Sequence, residues 1–196
     1  MLGKERSFLR EETPFRKSNP LVSAVISTYN SERFMRGRLH NLIEQTIFPE
    51  IEIVVVNSGS QQNEESIVKE FQGQYPNIVY VSTPQRETIY RAWNRGISVS
   101  RGKYITNANT DDRLRRDALE VLANALDAHP NVAMVYGDQY ITSIANSSYE
   151  KTTHRERFFR SRYSRLKLFS EYLLGSHPLW RASLHSDGGI WFDEKY

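Results

Sequence analysis

The chain has 196 residues, 39% of them hydrophobic and 25% charged, which is enough for one domain with a full core and short for two. It has no cysteine, which excludes disulfides, thiolate metal sites and a cysteine nucleophile, and no apolar run long enough to span a bilayer. The net charge of +3 makes no global demand for nucleic acid, and without a signal-peptide pattern the expected location is cytoplasmic.

Residues 1–19 are charged and lack apolar periodicity, so they read as a loose extension ending at Asn19-Pro20, with one domain over 20–196. Residues 22–27 form an apolar strand, and Met35, Leu39, Leu42 and Ile43 then fall on one helical face. The β-branched run 51–56 suits a strand buried on both sides. Ile67, Val68 and Phe71 mark a short helix that Asn63 is placed to cap. Strand 78–81, the helical face of Ile89, Ala92, Trp93 and Ile97, and strand 104–106 follow. Ala118, Val121, Leu122, Ala125 and Leu126 form a helical stripe starting near Arg115, and 132–136 reads as a further strand. This alternation predicts an α/β fold, a mostly parallel sheet with helices on both faces. Ligands in such sheets bind beyond the carboxyl ends of the strands, here the loops 27–31, 57–61, 84–87 and 107–113.

The last of these loops carries Asn109-Thr110-Asp111-Asp112 at the end of an apolar run. Two adjacent carboxylates repel, so the pair is a poor stabilising device and a good place to hold a divalent cation against nucleotide phosphates. A solvated turn capping the next helix is the alternative. Asn57-Ser58-Gly59-Ser60 has one glycine, too few for the glycine-rich nucleotide fingerprints. Over 151–167, Lys151, Arg155, Arg157, Arg160, Arg162, Arg165 and Lys167 are interleaved with Phe158, Phe159 and Tyr163. That segment is either a solvated loop or a clamp for an anion such as a diphosphate, a lipid headgroup or a nucleic-acid backbone. His40, His129, His154 and His185 show no metal-ligand spacing.

Taken together, 22–30, Gln45-Thr46, 52–60, Trp93-Asn94-Arg95-Gly96-Ile97 and 101–105 resemble the opening of family 2 glycosyltransferases of the GT-A fold. Asn109-Thr110-Asp111-Asp112 falls where that family carries its DXD-type metal motif, and Trp180-Arg181 with 188–194 resembles the segment before its catalytic base. The resemblance implies transfer of a sugar, with inversion, from a UDP- or GDP-linked donor to a hydroxyl of a glycan, lipid-linked or protein acceptor. It implies Mg²⁺ or Mn²⁺ on Asp111, with Asp112 orienting it or the sugar, and Asn109 facing the ribose or the metal's water shell. It places Ser27, Thr28, Tyr29 and Asn30 around the nucleoside, Asn57 and Ser58 on the base, and His177, Trp180 and Arg181 on the acceptor side.

The sequence also departs from the family. Neither Asn57 nor Ser58 is acidic, Asn109 stands for the first Asp of the metal motif, and Trp93 replaces a frequent Arg for which Arg86, Arg91 or Arg95 would substitute. The family's base follows the segment matched by 189–194, and the chain ends at Tyr196, so the expectation is a donor-binding part truncated before its base. Asp187, Asp193 and Glu194 are the nearby candidates for that base. The competing readings are an inactive nucleotide-sugar-binding or scaffold module and, last, a nucleic-acid-binding protein acting through 151–167; no nucleic acid is expected. A peripheral membrane contact through the same segment is expected instead.

Overall fold

The computed structural model describes residues 19–153, 156–170 and 174–195. The extension expected over 1–19 lies, but for Asn19, outside them, as do His154, Arg155 and Tyr196.

Four largely apolar strands become the parallel half of a sheet, β1 (Val22–Thr28), β2 (Ile51–Ser58), β3 (Ile78–Thr83) and β4 (Tyr104–Asn107). Their order is β3-β2-β1-β4, and Val22 is in register with Ile51 on one side and Tyr104 on the other. Every residue of β2 is buried, as a strand covered on both faces requires.

The period-two alternation assigns the two faces. Val22, Ala24, Ile26, Ile53 and Val55 pack with α1 (Glu32–Ile43), α2 (Glu64–Gln72) and α4 (Ala118–Ala128). Val25, Val54, Val56 and Ile105 pack with α3 (Ile89–Val99) on the other side. Gly96 permits that approach, since a Cβ there would collide with Cγ1 of Val25 and crowd Cγ2 of Val56.

Two details differ from the sequence expectation. Asn63 occupies the N-cap position of α2, but its side chain makes no capping hydrogen bond. The strand expected over 132–136 is reduced to β5 (Met134–Val135), which pairs with β8 (Leu179–Arg181), and β8 enters antiparallel between it and β4. Between them in sequence, β6 (Gln139–Ile141) and β7 (Glu156–Phe158) form a separate two-stranded ribbon. A short α5 (Ser183–Ser186) follows β8.

Candidate functional site at the carboxyl edge of the sheet

The loops after β1, β2 and β4 meet at one edge, and buried polar side chains fix their shapes. Asn30 has a positive φ of 50°. Its Oδ1 accepts from Gln61 N at 2.9 Å and Ser60 Oγ at 3.1 Å, which ties the first loop to the second. Glu64, fully buried at the start of α2, accepts from Ser31 N at 2.6 Å, Ser60 Oγ at 2.6 Å and Thr28 Oγ1 at 3.4 Å. One carboxylate thus joins β1, α1, the loop after β2 and α2. Ser27 and Thr28 end β1 at this edge, and the Tyr29 ring lies under the Arg86 guanidinium at 4.3 Å, a cation–π contact.

Asn57 and Ser58 turn inward. Asn57 accepts from Ser60 N and donates to Tyr80 OH, each at 2.9 Å, and Ser58 Oγ accepts from Glu87 N at 2.6 Å. Both are buried and shape the loop. Burial, the largest influence, pushes the Tyr80 hydroxyl up to about 12. Arg95 is also committed, with its guanidinium in a two-point pair with Glu87 at 2.9 and 2.5 Å, while Arg91 approaches Glu87 at 3.3 Å.

The Asp pair lies beyond β4. Helix α4 starts at Ala118 with Asp117 at its N-cap position, so Asp111 and Asp112 do not cap it. A polar ladder on and just past α1, invisible to apolar periodicity, holds their loop. Arg38 and Asn41 share one buried face of the helix, and buried Gln45 follows just past its C-cap residue Glu44. Arg38 Nη1 donates to Asp112 O at 3.2 Å, and Asn41 bridges both Leu114 N and Leu114 O. Gln45 donates to Arg115 O and accepts from Leu119 N. From the loop itself, Arg113 Nη1 donates to Thr110 O at 2.8 Å and Asp112 O at 2.7 Å.

Asp111 is exposed, whereas Asp112 is partly covered and accepts from Asn109 Nδ2 at 3.0 Å. Burial raises the Asp112 carboxyl above its ordinary value, with Asn109 opposing. No cluster of three or more His, Cys, Asp or Glu suited to a metal ion occurs among the described residues. The exposed carboxylate of Asp111 beside that of Asp112 is an all-oxygen donor pair, the type that suits a hard cation sharing water and substrate phosphates.

Beside the pair, a cleft of about 630 Å³ runs between the Asp111–Asp112 loop, Val121 and Leu122 of α4, Tyr140 of β6, and His177. His177 is buried, with Nε2 unpartnered, and burial followed by the charges of Arg38 and Arg113 holds its imidazole well below the usual value.

The other residues expected on the acceptor side are not in this cleft. Trp180 is 4% exposed, packs with the α3-side core and donates from Nε1 to His185 Nε2 at 2.8 Å. Arg181 pairs in register with Tyr104, at the opposite edge of the sheet, and donates to the carbonyls of Leu126, His129 and Val132 where α4 ends. Its guanidinium caps a helix, consistent with the negative end of the helix dipole.

Asp187 follows α5, past β8 at that opposite edge, and accepts from Ser186 Oγ. Asp193 accepts from Lys195 N, while Glu194 bonds Asn94 and Thr88 along α3. Antiparallel β8 carries Asp187 away from the Asp pair, but the chain then runs back along α3, and Glu194 reaches Thr88 and Arg91 at the start of that helix, on the carboxyl edge beside Glu87 and Ser58.

The family model of glycosyl transferase family 2 matches residues 23–182. The minor teichoic acid biosynthesis protein GgaB of Bacillus subtilis (strain 168) is 31% identical over 110 residues, 56% of this chain and 12% of that protein. Glycosyltransferase GlyA of Streptococcus pneumoniae serotype 4 is 29% identical over 173 residues, 83% of this chain and 25% of that protein. The chain thus spans a quarter or less of these two relatives' lengths.

Among solved structures, S. aureus TarS 1–349 superposes with a TM-score of 0.69 at 20% identity, over 89% of this chain and 50% of that one. TarS 1–349 has also been solved with UDP and with UDP-GlcNAc. The mannosyltransferase PcManGT from Pyrobaculum calidifontis, in complex with GDP-Man and Mn²⁺, superposes with a TM-score of 0.64 at 19% identity, over 91% and 49%. At these identities the structural likeness is one of fold, the GT-A α/β fold with its mostly parallel six-stranded sheet. With the family model covering most of the domain and that fold beneath it, this chain belongs to glycosyl transferase family 2.

Proposed function

We propose that this chain is the donor-binding part of a glycosyltransferase that moves a sugar, with inversion, from a nucleoside diphosphate to an acceptor hydroxyl in cell-surface polysaccharide synthesis. The observation that carries this reading is the buried polar ladder of Arg38, Asn41 and Gln45, which fixes the Asp111–Asp112 loop beside the loops after β1 and β2. Asp111 faces solvent and is the residue that would hold Mg²⁺ or Mn²⁺; Asp112, steered by Asn109, would orient it or the donor sugar. When bound, the metal would neutralise charge developing on the diphosphate leaving group. The solved complexes of structural neighbours with UDP, UDP-GlcNAc and GDP-Man support a nucleotide-sugar donor.

Ser27, Thr28, Tyr29 and Asn30 form the wall on which the nucleoside would rest. With Asn57 and Ser58 bonded within the loop, the half-buried Tyr29 ring under exposed Arg86 is the surface for the base. The cleft next to His177 is the space for a glycan, lipid-linked or protein acceptor. The surface over 151–167 would rest on a membrane, supported by exposed Phe159 and Tyr163 among arginines. An inverting transfer needs a base within hydrogen-bonding reach of the acceptor hydroxyl. Asp187, Asp193 and Glu194 are the candidates for that base in this chain, while Asp111, Asp112 and Asn109 would bind and orient the donor.

Calorimetric titration of UDP and GDP, with and without Mn²⁺, on wild type and Asp111→Asn tests the reading. Metal-dependent binding of one nucleotide that disappears in the variant is the expected result. Binding of neither nucleotide would make the chain an inactive scaffold module.

A further inference from the structure

Arg38 is the largest of the fully buried side chains, and it is a cation. Its Nη1 bonds Asn41 Oδ1 at 3.0 Å and Asp112 O at 3.2 Å, while Nε and Nη2 have no partner. No carboxylate among the described residues forms an ion pair with it. A buried charge without an ion-pair partner is costly, and replacing it with an apolar side chain of similar volume often stabilises a fold. Fixing one loop carbonyl needs a hydrogen-bond donor, not a buried cation, and Asn41 already holds that loop with a neutral amide. The charge therefore requires its own explanation.

The guanidinium groups of Arg38 and Arg113 both donate to the carbonyl of Asp112, at 3.2 and 2.7 Å. Two cations thus lie against the loop that carries the carboxylates of Asp111 and Asp112, and Asn109 adds no charge. A dication approaching this loop meets a locally balanced field and gains little from the protein alone. A nucleoside diphosphate brings the missing negative charge. Resting on the proposed role of Asp111, we infer that Arg38 makes metal binding dependent on the diphosphate: the buried charge disfavours the bare cation, so metal and nucleotide load together. The ligand of this device is a divalent cation already paired with a nucleoside diphosphate.

The test is Mn²⁺ titration followed by electron paramagnetic resonance, with and without UDP or GDP, on wild type, Arg38→Met, Arg38→Lys and Asp111→Asn. Mn²⁺–nucleotide association measured without protein is subtracted. Arg38→Met is expected to bind bare Mn²⁺ about tenfold tighter than wild type, as removal of one nearby unit charge allows, and to lose about the same factor of coupling to the nucleotide. Arg38→Lys keeps the charge and should keep the coupling. If Arg38 only anchored the loop, both variants would weaken metal and nucleotide binding together, and that outcome overturns the inference. So does bare-metal affinity in Arg38→Met equal to that of wild type. Failure of every variant to bind Mn²⁺ with either nucleotide, or binding indifferent to Asp111→Asn, instead overturns the metal reading of Asp111 itself.

Discussion

The side chain of Asn41 forms a two-way bridge with the backbone of Leu114, donating to its carbonyl at 2.9 Å and accepting from its N–H at 2.8 Å. Leu114 follows the Asp pair closely, so the position of the proposed metal-binding loop depends on this amide. Asn41→Ala leaves two buried backbone groups without partners, each costing about 1–3 kcal/mol. Urea unfolding should show a loss of about 2–4 kcal/mol, and nucleotide affinity should fall with it. A loss below about 0.5 kcal/mol, the range of ordinary surface substitutions, would mean that the loop is held elsewhere.

Glu64 plays the equivalent part on the nucleoside side, since its buried carboxylate gathers Thr28, Ser31 and Ser60. Glu64→Gln keeps the shape but turns an amide N–H₂ toward a donor. Unfolding should show a cost of about 1–3 kcal/mol, as expected for a buried donor left unmatched. Calorimetry should show weaker nucleotide binding, because the 28–31 loop loses its tether to 60–64. Unchanged nucleotide affinity in a folded variant would separate the loops' shape from binding.

The sheet was legible because β1, β2 and β4 are short apolar runs between polar loops, and a buried parallel sheet leaves that trace. Helix α4 was legible as a stripe for the same reason. The insertion of β8 between β4 and β5 left no local trace, since a three-residue strand is too short for a period-two alternation to register. Partnering across the sheet places it, and periodicity carries no record of partners. At the site, the Asp111–Asp112 pair was visible as chemistry. Arg38 and Asn41 were not, because polar residues on a helix are by default solvent-facing and only tertiary contact makes them structural. Asn57 and Ser58 sit at the expected edge but bond inward, and sequence position does not report side-chain direction.

The proposed membrane contact has a direct check. Leu166 is 81% exposed and Phe169 91%, within a segment that also exposes Phe159 and Tyr163. Aliphatic and aromatic groups do little against a nucleic-acid backbone but insert readily among lipid headgroups. The chain should sediment with vesicles containing phosphatidylglycerol and not with phosphatidylcholine alone, and salt should weaken the binding. Each of Arg162→Glu and Arg165→Glu should reduce partitioning about fivefold or more, at about 1 kcal/mol per basic residue near the surface. Equal sedimentation with both vesicle types would remove charge recognition from the proposal.

His177 makes the fold sensitive to acid. Burial lowers its folded-state value below that of the unfolded chain, so between the two the unfolded state binds more protons. Stability contributed by the neutral imidazole is present above about 6.5 and is lost as the pH falls from there toward the folded value, with a slope approaching about 1.4 kcal/mol per pH unit. Arg38 from α1 and Arg113 from the loop after β4 add to the cost of the charged ring, while Asp112 lines the same cleft. Urea unfolding of wild type between pH 7.5 and 5 should show this loss, and His177→Gln, which cannot take up the proton, should flatten the profile. A variant with an undiminished acid slope would assign the sensitivity to the carboxylates, whose protonation falls at lower pH.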